Sequence, residues 1–85
     1  MKNLEQIDKA LDRAEWKEID GKELEEILRG QTIAGAEPID YPLTDGAILY
    51  LTGKDGKLSA LEIGVDIYND DSQIYIKYAA TDIKA

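Results

Sequence analysis

Helical spacing of apolar residues over the first thirty positions gives way to strand alternation cut by Asp-Gly pairs. Helices grouped first and strands grouped after predict an α+β domain rather than an alternating α/β one. The expected architecture is two N-terminal helices packed on one face of a three-stranded antiparallel β-meander. Residues 1–30 form the helical part, 31–42 a connector, 43–78 the meander and 79–85 a C-terminal tail, all within one 85-residue domain.

The first helix is expected to start at Asn3, whose amide can cap free backbone donors, with Gln6 completing a capping-box arrangement. Leu4, Ile7, Leu11 and Ala14 then form one apolar stripe. At about 100° per residue the stripe misses Trp16 and Ile19, so the helix ends near Ala14 or Glu15. Trp16 to Ile19 alternates apolar and charged side chains and reads as a short strand or extended connector; one longer helix reaching Ile19 is the rival. Asp20 is the N-cap of a second helix, with Glu23 at the reciprocal position and Leu24, Ile27 and Leu28 as its buried face. Arg29 sits in the last turn and Gly30 takes the C′ place. Gly35, Pro38 and Pro42 resist helix in the connector, part of which suits a sheet edge.

Three strands are expected at Ala47–Thr52, Leu58–Ile67 and Gln73–Tyr78. A three-residue Lys54-Asp55-Gly56 loop with Gly56 left-handed is a type I turn with a G1 bulge. That loop sets Leu51 opposite Ser59, Leu49 opposite Leu61 and Ala47 opposite Ile63, which gathers apolar residues on one face. A one-residue slip sets Ala47 against Glu62 and buries worse. On the third strand Ile74, Ile76 and Tyr78 share a face, with Tyr75 and Lys77 on the other. The expected core is Leu4, Ile7, Leu11, Leu24, Ile27 and Leu28 against Leu49, Leu51, Leu61, Ile63, Val65, Ile74 and Ile76.

Composition removes whole classes of chemistry. The chain has no Cys and no His, which excludes thiolate nucleophiles, Cys/His zinc sites and histidine acid–base catalysis. Ser59 and Ser72 therefore lack an activating base, and no Ser-x-x-Lys pattern replaces it. Neither GxGxxG nor GxxxxGK[ST] occurs, so no phosphate loop is indicated. Carboxylates abound, but a glycosidase-like pair needs a groove and a buried, raised-pKa member, which a chain this small has little volume to build. The expectation is a non-enzyme without cofactor or metal. Ten basic against eighteen acidic residues give a net charge of −8, which opposes direct contact with nucleic acid or an anionic membrane. No apolar run approaches the ~18 residues of a membrane span, and the Met1-to-Glu5 start lacks a signal peptide's apolar segment, so a cytoplasmic location is expected.

Three surfaces are candidates for function. Glu5, Asp8, Asp12 and Glu15 lie within a sector of about 80° beside the apolar stripe of the first helix, an acidic track suited to a basic partner. Tyr50 and Tyr75 fall on the sheet face opposite the expected core. Ile48, Leu58 and Ala60 make that second face apolar too, and tyrosines over such a face are an interface composition. The Asp66-to-Ser72 stretch offers hard oxygen ligands for a divalent cation, although it departs from an EF-hand loop and its residue types are those of an ordinary turn. The leading expectation is a non-catalytic protein-binding module, in its sharper form an acidic inhibitor of a basic nucleic-acid-handling protein, of the type phages and mobile elements encode. The alternatives are an assembly protein that homodimerises through the second sheet face, and a divalent-cation-binding domain.

Overall fold

The computed structural model describes residues 4–40, 42–67 and 73–84, with the side chains described from residue 9 onward. The elements in chain order are α1 (Leu4–Arg13), β1 (Lys17–Glu18), α2 (Gly21–Leu28), β2 (Thr32–Pro38), β3 (Thr44–Thr52), β4 (Lys57–Asp66) and β5 (Ile74–Lys84). The strands form one five-stranded antiparallel sheet in the order β1-β5-β4-β3-β2. This replaces the expected three-stranded meander.

The central hairpin has the register that alternation demands. Ala47 faces Ile63, Leu49 faces Leu61 and Leu51 faces Ser59. Gly56 is left-handed at φ 78°, its amide donates to the Gly53 carbonyl at 2.9 Å, and Asp55 Oδ1 accepts from the Lys57 amide at 3.0 Å. A side chain at position 56 would be strained in that conformation, so the Asp-Gly pair sets both turn and register. Pairing with β5 continues the pattern, with Leu61 opposite Tyr78 and Ile63 opposite Ile76.

The helices do not share a face. On one side of the sheet, Ile19, Leu51 and Leu61 form a buried cluster. Leu24 and Ile27 of α2 pack against it, together with Leu49, Ile63, Ile76 and Tyr78. On the other side, Leu11 of α1 joins Tyr50, Leu58, Ala60 and Ala79 in a second buried cluster, with Ala14, Trp16 and Ile48 packed around it. Odd positions of β3 and β4 thus serve the α2 side and even positions the α1 side.

β1 is what separates the two helices. It lies at the sheet edge, with Lys17 opposite Tyr78 and Glu18 opposite Lys77, and the Ile19 amide extends the pairing to the Ile76 carbonyl at 3.0 Å. Side chains alternate across a strand. Trp16 therefore joins the α1-side cluster and Ile19 the α2-side cluster. The chain passes from one face to the other across this short strand, so two helices on a single face is corrected to one helix on each. Tyr50, expected on an open face, is 5% exposed on the α1 side.

Other boundaries also change. α1 ends at Arg13 and β1 follows as an extended segment, which removes the longer-helix rival. The expected Asn3 cap lies outside the described residues, as do the side chains of Leu4 and Ile7. Asp20 caps α2 by accepting from the Glu23 amide at 2.8 Å, while the Glu23 carboxylate pairs with Lys17 at 3.4 Å. Leu28 and Ile74 are exposed rather than buried. Part of the expected connector is the edge strand β2, whose register breaks between Ile33 and Gly35 and which ends at Pro38. A bulge and a terminal proline are features an edge tolerates. Most of the expected C-terminal tail belongs to β5. Its pairing with β4 is irregular between Lys57 and Ser59, and there the Thr81 hydroxyl donates to the Leu58 carbonyl at 2.6 Å.

Leu61 is fully buried and Ile74 is 75% exposed. Urea denaturation should show Leu61→Ala losing about 2–5 kcal/mol and Ile74→Ala changing stability by no more than about 0.5 kcal/mol.

Candidate functional site

α1 packs along β5, and among the described residues a groove remains between α1 and β3. Its volume is about 540 Å³, and it is lined by Leu11 and Asp12 of α1, Trp16, Glu37 of β2, Ile48 and Tyr50 of β3, Glu62 of β4 and Lys77 of β5. Strand alternation puts Ile48, Tyr50, Glu62 and Lys77 on this face, because Ile48 pairs with Glu62 and Glu62 with Lys77.

Two hydrogen bonds fix the aromatic walls. The Trp16 indole N–H donates to the Leu11 carbonyl at 3.1 Å, satisfying an acceptor in the last turn of α1. The Tyr50 hydroxyl donates to Glu37 Oε2 at 3.1 Å. Asp12 and Glu37 are exposed, whereas Glu62 is only 8% exposed on the central strand. No hydrogen bond or ion pair joins the Glu62 carboxylate to another group among the described residues. Lys77 stands opposite it in the register, but its ammonium lies over the Tyr75 ring, 5.2 Å from the centroid. Three carboxylates and one ammonium leave the groove acidic.

The sequence-derived candidates are only partly assembled here. Asp12 and Tyr50 both line the groove, Tyr50 as a buried wall rather than an exposed contact. Glu15 is exposed beside Trp16 in the chain and does not line it. Glu5 and Asp8 lie on α1, with side chains outside the described residues. Tyr75 is half-buried over Gly64, where an added Cβ would come within 2.6 Å of its hydroxyl. The Tyr50-bearing face is covered in part by α1 and is not the open surface expected for a homodimer.

Glu37, Glu62, Lys77 and Trp16 line the groove without standing among the candidates read from the sequence. Glu62 carries a signal: it follows Leu58 and Ala60 at a spacing of two, a charge that continues an apolar row. Residues 68–72 of the expected cation loop lie outside the described residues; Asp66 accepts from the Thr44 hydroxyl at 3.1 Å. Among the described residues, no group of three or more Asp, Glu, His or Cys is placed to hold a metal ion, and no helix is long and apolar enough to cross a membrane. No protein-family model, curated protein or solved structure matches the chain.

A charged side chain only 8% exposed on a central strand has lost much of its hydration, which costs stability. Glu62→Leu should therefore raise stability by roughly 0.5–2 kcal/mol, measured as a higher midpoint in urea.

Proposed function

We propose that this chain is a non-catalytic binding module for a basic protein partner. The observation that carries the proposal is the groove beside α1, where fixed aromatic walls meet Asp12, Glu37 and a buried Glu62. Aromatic side chains supply contact area at low entropic cost, and carboxylates supply charge complementarity. The net charge of −8 adds long-range attraction. Charge and small size support the narrower form, an inhibitor of a nucleic-acid-handling protein; the groove supports recognition of basic residues whatever the partner's own task.

A partner captured from extract at low salt and then purified should associate more slowly as salt rises, because exposed charges are screened over about 8–10 Å at ordinary ionic strength. Asp12→Lys with Glu15→Lys should reduce the association rate about tenfold while changing stability by no more than about 0.5 kcal/mol. An association rate indifferent to both salt and charge reversal would contradict the proposal.

A further inference from the structure

We propose that the groove is a receptor for one arginine side chain of the partner, its guanidinium held by Glu62 beside the Trp16 ring. This rests on the binding-module reading above and adds the chemistry of the contact. Glu62 is 8% exposed and lacks a partner among the described residues. Its oxygens are not among the enclosed, unpartnered polar atoms of the described residues, which are Gln31 Oε1 and Ser59 Oγ, so the carboxylate opens into the groove, where a cationic donor would complete it. Trp16 and Tyr50 are held by their bonds to Leu11 and Glu37, and such fixed rings reduce the ordering cost of binding.

Arginine fits better than lysine. Its planar guanidinium reaches carboxylates in a fork, stacks on aromatic faces and is less strongly hydrated than an ammonium. The chain's own Lys77, directly across from Glu62, lies over Tyr75 instead. Its positive charge also opposes an incoming cation, so removing it should favour binding.

The single tryptophan lines the groove and serves as the reporter. Hexa-arginine and hexa-lysine peptides, equal in charge, are titrated into the full chain while Trp16 fluorescence is followed. The arginine peptide should bind about tenfold more tightly, Glu62→Gln should abolish that preference, and Lys77→Met should tighten arginine-peptide binding several-fold. Circular dichroism checks that each variant is folded. If Glu62→Gln does not fold, the peptide preference of the unmodified chain and the gain in Lys77→Met decide. Equal affinities, or a preference untouched by Glu62→Gln, overturn the arginine site and leave a basic partner standing. Failure of both peptides to bind overturns the site together with the basic-partner reading.

Discussion

The structure depends on a central strand buried from both sides. Leu58 to Glu62 of β4 are consecutive and none is more than 8% exposed. A strand shows alternate residues to opposite faces, so five buried residues in a row require cover above and below. Neither short helix can provide both covers. β1 resolves this by pairing at the sheet edge between them, which sends Trp16 to one cluster and Ile19 to the other.

Among the described residues the cover is uneven, and the site follows from that. α1 lies along β5, and Ile48, Tyr50 and Glu62 line a trench. A core built only for stability would place an apolar residue at position 62. The carboxylate there makes the groove acidic as well as aromatic.

Local features are legible in the sequence because local chemistry determines them. The Asp55-Gly56 turn dictates the register of β3 and β4, and the Asp20 cap and Gly30 mark the ends of α2. The distribution of helices between faces is a long-range property, and the apolar stripes alone do not state it. Two clues point to it: Ile48, Tyr50, Leu58 and Ala60 make the second face apolar, and the odd spacing of Trp16 and Ile19 puts them on opposite sides of a strand. β2 and the end of β5 are obscured by Gly35, Pro38 and the small residues Ala79 and Ala80, which carry little apolar alternation. The groove is harder still to read, since it joins residues from separate parts of the chain, and only Glu62 stands out against its neighbours.

Side-chain nuclear Overhauser effects test most directly whether the helices cover opposite faces of the sheet. Trp16 is the only tryptophan, so its ring protons are an unambiguous starting point. With one helix on each face, cross-peaks run from Trp16 to Ala60 and Ala79, and from Ile19 and Ile27 to Leu51 and Leu61. Cross-peaks from Trp16 to Leu49 or Leu61 would put both helices on one face and contradict this arrangement.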